Sequence, residues 1–387
     1  MTRSEREARD LLVERVGTTL AETGTDFPYY ADAETGEWVT TENGNWCGGH
    51  WVGMLWLAHQ VTGEERFAEA AREHTETVVE YMPRDAMFCG MNFNYAGFRA
   101  REVSGEARHR GIGVDGADAT VDYFHEGARQ VPLGVLDIES PAREFRGPDT
   151  DEGPSGAHLG AVDAVYTSTP VLWRAYRETG DPHYRDYAVS HADRALDWYV
   201  REDGKTWHHA EFDPETGALV RQYNELAYSD DTCWARGQGW AIAGFSRCYR
   251  ETGAGRYRAA LERMVDYYER HAPEDLVPHW DFEHPDKPDV PRDTSCAALS
   301  AYGLTRLPDE GETASLHAFG ERILDSLVSD YLTPVDGDDD RPAGMLLEGC
   351  YNGPSGWANR NELVWSDYYL LYALHRRVAG EGAGADD

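Results

Sequence analysis

Two stretches of this chain carry side chains whose types and spacing could act on a polar, ring-shaped ligand. In Ser229-Asp-Asp-Thr-Cys-Trp-Ala-Arg-Gly-Gln-Gly-Trp240, Asp230, Asp231 and Thr232 read as the start of a helix. Arg236 and Trp240 then lie four residues apart on one face, and Trp234 and Gln238 form the neighbouring pair. Indoles offer a sugar ring an apolar platform, and a guanidinium fork meets a carboxylate well. The competing reading makes the tryptophans core residues and pairs Arg236 with Asp230 or Asp231. Against it, an arginine buried beside Gly237 and Gly239 is costly without an anion to meet. The second stretch is Gly160-Ala-Val-Asp-Ala-Val-Tyr166, which sets Asp163 just ahead of an apolar helix ending at Thr179. Aspartate caps helices well, and a sheltered carboxyl can also act as an acid and then as a base. The two roles are compatible.

Helices must position these groups. Apolar residues recur at helical spacing over Arg6–Leu20, Trp51–Val61, Phe67–Tyr81, Ala164–Tyr176, Tyr184–Tyr199 and Ala241–Tyr249. They do so again over Tyr257–Tyr268, Thr294–Leu304, Leu316–Tyr331 and Leu363–Val378. Strand-like alternation is confined to Trp207–Phe212 and Ala218–Tyr223, which predict a short hairpin around Asp213-Pro-Glu-Thr-Gly217. A punctuation mark, Thr-Gly-x-x-x-aromatic, starts at Thr62, Thr179 and Thr252. Its glycine suits a left-handed helix cap, and its aromatic can staple the next helix. Repeated helix pairs without a Pro- or Ser-rich linker predict one closed ring of hairpins spanning residues 1–379, with 380–387 a flexible acidic tail. The Gly- and Asp-rich stretch from Arg101 to Gly160 reads as long loops with a short helix near the mouth of the ring.

Composition excludes several classes of partner. Among 387 residues, 70 acids face 36 Lys and Arg, a net charge of -34, and the only lysines are Lys205 and Lys287. Self-repulsion of this size is relieved by screening, which points to a halophilic protein. The acids are interleaved with Trp, Tyr and Leu, unlike a disordered chain. Nucleic acid is a poor partner for such a surface. Six isolated cysteines, without CxxC or ligand-like His spacing, predict buried free thiols in a reducing compartment and no metal or cofactor. The opening residues lack an apolar signal core and no stretch is long enough to span a membrane, so the expected location is the cytoplasm and no membrane partner is expected.

Four blocks in order carry a resemblance. They are Asn45-Trp-Cys-Gly-Gly-His-Trp-Val-Gly-Met-Leu-Trp-Leu-Ala58, Asp230-Asp-Thr-Cys-Trp-Ala-Arg-Gly-Gln-Gly-Trp240, Arg292-Asp-Thr-Ser-Cys-Ala-Ala-Leu299 and Trp365-Ser-Asp-Tyr-Tyr-Leu-Leu371. Together they resemble the unsaturated glucuronyl hydrolases, glycoside hydrolase family 88. The resemblance implies an all-α fold, the (α/α)6 barrel, and removal of a 4,5-unsaturated uronic acid from the non-reducing end of polysaccharide-lyase products. In that chemistry an acid protonates the carbon–carbon double bond of the vinyl ether, water adds at the other carbon, and the hydrated sugar opens to release its partner. Anomeric displacement by paired carboxylates works otherwise. The resemblance implies Asp163, matched across a one-residue gap, as the general acid/base. It implies Arg236, Trp240, Trp234, Gln238, His208, Trp46 and Tyr351 as substrate contacts.

One place departs from the family pattern. A His-Asp pair is expected shortly before Gly-Phe, and Asn94 and Tyr95 stand there, with Asn94 as a substrate contact in the histidine's stead. Leu226 occupies the place of a family glutamine. A different carboxylate, Asp85, Glu102 or Asp118, would then assist. Competing readings are an unsaturated rhamnogalacturonyl hydrolase on the same barrel and a catalytically impaired sugar-binding homologue. Sugar epimerisation would need two facing histidines; the only close pair is His208-His209, and neighbours in a hairpin are expected to point to opposite faces.

Overall fold

A computed structural model describes residues 4–134, 156–335 and 338–380. The elements in chain order are α1 (Glu5–Thr23), β1 (Phe27–Ala31), β2 (Trp38–Thr41), α2 (Gly48–Thr62), α3 (Glu65–Tyr81), α4 (Phe88–Phe93), α5 (Ala100–Ser104) and α6 (Ala107–Asp122). After these come β3 (Leu159–Ala161), α7 (Ala164–Thr167), α8 (Thr169–Thr179), α9 (Pro182–Tyr199), β4 (His209–Phe212), β5 (Leu219–Tyr223), α10 (Ala235–Thr252) and α11 (Gly255–His271). The chain ends with α12 (Thr294–Leu304), α13 (Ala314–Ser326), β6 (Gly349–Asn352), β7 (Trp357–Leu363) and α14 (Val364–Ala379). The fold is mainly helical.

Burial sorts the helices into two kinds. Every residue of α12 is buried, as are Gly48–Ala58 of α2, Ala235–Cys248 of α10 and Val364–His375 of α14. Helices α3, α9, α11 and α13 bury one face only, as surface helices do. The buried helices touch in succession: α4 meets α7 and α8, α7 meets α10, α10 meets α12, α12 meets α14, and α14 meets α2. Four of them are backed by a chain neighbour, α2 by α3, α8 by α9, α10 by α11 and α12 by α13, and α14 is backed by α1.

The three Thr-Gly marks are one structure used three times. Gly63, Gly180 and Gly253 have φ of 72°, 75° and 64° and cap α2, α8 and α10 in the left-handed conformation. In each, the threonine hydroxyl donates one turn back, to Ala58, Ala175 or Cys248 O at 2.6–2.8 Å. It also accepts the N–H of Glu64, Asp181 or Ala254 at 3.1 Å. Phe67, Tyr184 and Tyr257 are buried at the start of the following helix.

Three expectations need correction. The stretch from Arg101 holds a 16-residue helix, α6, rather than loops with a short helix. Two of its glycines serve close packing: a Cβ on Gly113 would lie 2.7 Å from the Phe98 ring, and one on Gly116 would lie 2.1 Å from Phe93 Cβ. The helix ending at Thr179 is broken into α7 and α8, because Pro170 has no N–H to continue the ladder. Strand content also exceeds one hairpin. A four-stranded sheet runs β2-β1-β7-β6, and β3 joins the expected β4-β5 pair. These strands are short and join distant parts of the chain, so no local pattern announces them. The tail beyond Gly380 and residues 135–155 lie outside the described residues. Among the described residues no helix is long and apolar enough to cross a membrane, and all six cysteines are buried and free.

Candidate active site

Asp163 sits where the β3–β4 ladder hands over to a helix. Ala161 pairs with His209, and the Val162 N–H donates to His208 O at 2.9 Å before the chain turns into α7. Asp163 precedes α7, but its side chain makes no capping bond, so the capping role is not realised. The carboxyl is 5% exposed and its Oδ2 has no hydrogen-bond partner. Burial raises its pKa from 3.8 to about 6, against the pull of Arg236 and His209. His208 Nε2 lies 3.9 Å from Asp163 Oδ2. Burial, with His209 and Arg236 nearby, holds the His208 pKa well below its ordinary value, so this contact joins a neutral imidazole to a carboxyl and is not an ion pair.

Arg236 is fixed by backbone rather than by acid. Helix α10 begins at Ala235, later than expected, with Trp234 extended at its cap. Asp230 and Thr232 are used elsewhere: Asp230 Oδ1 accepts the Asn224 N–H at 2.8 Å, and the Thr232 hydroxyl donates to Asp281 at 2.6 Å. The Arg236 guanidinium donates to Cys350 O at 2.6 Å and Tyr351 O at 2.7 Å. It lies 4.6 Å over the Trp234 ring and 5.3 Å over that of Tyr351. The Trp46 indole N–H bridges the hydroxyls of Tyr29, at 3.0 Å, and Tyr351, at 3.2 Å. Its ring packs on Trp365 at 4.8 Å. His208 packs on Trp234 at 4.5 Å. Asp163, His208, Trp234, Arg236, Tyr351 and Trp46 thus form one continuous chain of contacts or charge interactions.

The other three expected contacts stand apart. Gln238 is pulled outward: its amide donates to Gly204 O at 2.8 Å and accepts from the Cys233 thiol at 3.4 Å. That makes it a structural tie rather than a ligand contact. Trp240 lies among tyrosines, 5.6 Å from Tyr166 and 5.9 Å from Tyr369. Asn94 is buried with Oδ1 lacking a partner, at the start of a π-helical stretch, Asn94–Arg99; such stretches recur at functional sites. Beside it, the Tyr95 hydroxyl bonds those of Tyr166 at 3.0 Å and Tyr369 at 3.2 Å. The position where the resemblance leads one to expect an aspartate is therefore a phenol inside a tyrosine cluster.

Sequence reasoning missed one carboxylate. Asp293 is fully buried at the start of α12, where its Oδ1 accepts the Ser295 and Cys350 N–H groups at 3.0 and 3.3 Å. Burial raises its pKa, and Arg236 pulls it back, as at Asp163. The two acids therefore share one guanidinium. The alternatives named from sequence are occupied otherwise. Asp85 is exposed, Glu102 pairs with Arg99 and Arg174, and Asp118 accepts the Tyr184 hydroxyl at 2.6 Å. The signal for Asp293 was its place in the Arg292–Leu299 block, which reads as an ordinary helix start.

His208 and His209 also defy expectation. Their rings stack with centroids 3.6 Å apart and planes 30° apart. Strand β4 begins only at His209, so His208 escapes strand alternation. Rings in contact leave no room for a sugar between them, so the epimerase geometry is absent from this pair.

Known proteins resemble this chain in sequence and in fold. The profile of Glycosyl Hydrolase Family 88 matches residues 160–311. The unsaturated glucuronyl hydrolase of Bacillus sp. (strain GL1) is 29% identical over 93% of each chain. The unsaturated chondroitin disaccharide hydrolase of Streptococcus pyogenes serotype M1 is 28% identical over 96% of this chain and 90% of its own. The crystal structure of the unsaturated glucuronyl hydrolase from Bacillus sp. GL1 superimposes with a TM-score of 0.84 at 27% identity, over 96% of each chain. A UGL variant solved with dGlcA-Glc-Rha-Glc superimposes with a TM-score of 0.83. Similarity in sequence and fold over nearly the whole chain, with the family profile over residues 160–311, sets this protein beside the unsaturated glucuronyl hydrolases of glycoside hydrolase family 88.

Proposed function

We propose that this glycoside hydrolase removes 4,5-unsaturated uronic acid from the non-reducing end of oligosaccharides left by polysaccharide lyases. The supporting observation is Asp163, a sheltered carboxyl with pKa about 6, within the field of Arg236. Arg236 and the rings of Trp234, Tyr351 and Trp46 receive the uronate, with His208 at its edge. Asp163 gives its proton to C4 of the vinyl ether. Water adds at C5 and its proton returns to Asp163. The hemiketal so formed opens the ring, and the partner sugar leaves as an alcohol. The succession of buried helices, five of them backed by a second helix, supports an (α/α)6 barrel forming one domain over residues 1–379. Acidic composition supports a halophilic protein, and buried free thiols support a cytoplasmic one.

Purified protein in high salt is expected to bleach the near-ultraviolet absorbance of unsaturated chondroitin or glucuronyl disaccharides. Unchanged absorbance across several lyase products would overturn the reading. Tyr95, in place of an aspartate, favours one rival, a sugar-binding homologue without turnover. That rival predicts binding of these disaccharides with the double bond intact. Exchanging the penultimate sugar for rhamnose tests the rhamnogalacturonyl alternative.

A further inference from the structure

The stacked histidines have a third partner. His209 Nε2 lies 2.9 Å from Glu225 Oε2, and one ligand atom from each of His208, His209 and Glu225 falls within 4.8 Å of the others. The two imidazoles are 5% and 3% exposed, while the Glu225 side chain is 36% exposed and opens the group to solvent. Position is fixed by backbone on both sides. The His208 N–H donates to Asn224 Oδ1 at 2.7 Å, and Asn224 itself is pinned by Asp230, so Glu225 is held next to the pair.

Donor and acceptor chemistry at this group suits a cation. His209 faces an acceptor at each nitrogen, Gly160 O at 3.3 Å from Nδ1 and Glu225 at Nε2. A protonated imidazole donates to both, and a neutral one, with a single N–H, donates to one and leaves the other nitrogen free to bind a cation. If Nδ1 donates to the Gly160 carbonyl, two lone pairs face each other between Nε2 and Glu225. Metal-binding histidines have this arrangement, with the far N–H on a carbonyl and the near nitrogen open to the ion. His208 adds a buried Nδ1 with no hydrogen-bond partner. Two imidazoles and one carboxylate suit a first-row divalent ion such as zinc and leave coordination positions open.

We propose that His208, His209 and Glu225 form a binding site for a divalent cation of the zinc class, and that its occupancy blocks turnover. The blocking half rests on the reading of the active site above. His208 Nε2 is 3.9 Å from Asp163, so an ion on this group ties up a substrate contact and sets positive charge beside the acid.

The test is a zinc titration of the purified protein in chloride buffer, read against a colorimetric zinc indicator and, separately, by hydrolysis rate. One zinc per chain is expected, with X-ray absorption showing nitrogen and oxygen ligands and no sulfur. Glu225→Gln is expected to weaken zinc about tenfold or more, on the scale seen when metal-site partners are removed, while metal-free turnover stays within about twofold. His209→Asn, read by the indicator alone, is expected to weaken it likewise. Absence of stoichiometric binding, or affinity unchanged in both variants, overturns the site. Stoichiometric binding with undiminished hydrolysis overturns the blocking role. Loss of the functional reading is distinguishable, because the indicator reports zinc whether or not any sugar is cleaved.

Discussion

At the scale of residues, Asp163 joins two properties that pull against each other. On the proposed function its carboxyl serves as a proton donor because burial raises its pKa, and the same burial destabilises the folded chain once the group ionises. Asp163→Asn is expected to lower turnover by about a thousandfold or more while leaving disaccharide binding largely intact, as for loss of an interaction made in the transition state. The parent rate is expected to fall as pH rises above about 6, where the acid is lost. The stability effect has a defined sign. A folded pKa near 6 against an ordinary 3.8 means that the native state holds the proton more tightly, so stability declines as pH climbs between the two and stays lower above them. Asp163→Asn should therefore melt higher than the parent at pH 8, by on the order of 1–3 kcal/mol, with the gap closing near pH 4. Thermal unfolding at both pH values checks this. Asp163 was legible in the sequence as a polar residue before an apolar helix; its shelter was not, because the roof comes from His208 and α10. Asp293 was illegible for the same reason. Its Oδ1 fixes Cys350, whose carbonyl holds Arg236, which makes it a positioning residue. Asp293→Ala is expected to raise KM about tenfold with a smaller change in kcat, and Asp293→Asn, which keeps the acceptor, to restore most of the loss. Equal falls in kcat and kcat/KM would contradict that role.

At the scale of elements, what is local is readable and what is long-range is not. The Thr-Gly caps were legible because each is complete within a few residues, and all three use the same hydroxyl in the same two bonds. Their equivalence is testable. Thr62→Ala, Thr179→Ala and Thr252→Ala should each cost about 1 kcal/mol, the net value of such bonds. Because the three caps stand on different helices, the triple variant should lose roughly the sum of its parts in a thermal or denaturant transition. Helix α6 is hard to read from sequence because glycine normally argues against a helix interior, and its glycines are tolerated because Gly113 and Gly116 lie against Phe98 and Phe93. The start of α10 was placed too early for a related reason: Asp230 and Thr232 are good capping residues that found other partners, on Asn224 and Asp281.

At the scale of the whole molecule, charge was fully visible in the sequence, and the structure adds how it is distributed. Many acids pair with arginines on the surface, as Glu269 does with Arg322 at 2.7 Å, both side chains half exposed. Pairs of this kind contribute about 0–1 kcal/mol and do not offset a net charge of -34. Screening shortens from about 10 Å at 0.1 M salt to about 3 Å at 1 M. The unfolding midpoint is therefore expected to rise as KCl is raised over that range; a midpoint that stays flat or falls would remove the case for salt adaptation. By contrast, the buried Arg15–Glu362 pair, at 2.7 Å with side chains at most 2% exposed, should be indifferent to salt.

Arg236 is bonded to carbonyls more than a hundred residues further along the chain, and Arg15 reaches forward to Glu362. During synthesis, α10 emerges with its guanidinium long before Cys350 and Tyr351 exist to receive it. The site therefore has no half-built form. A nascent or truncated chain ending before β6 would carry Asp163, Trp46 and Trp234, yet would lack the two oxygens that aim Arg236. The proposed uronate site is completed in one step, when the C-terminal segment folds back onto the helices that preceded it.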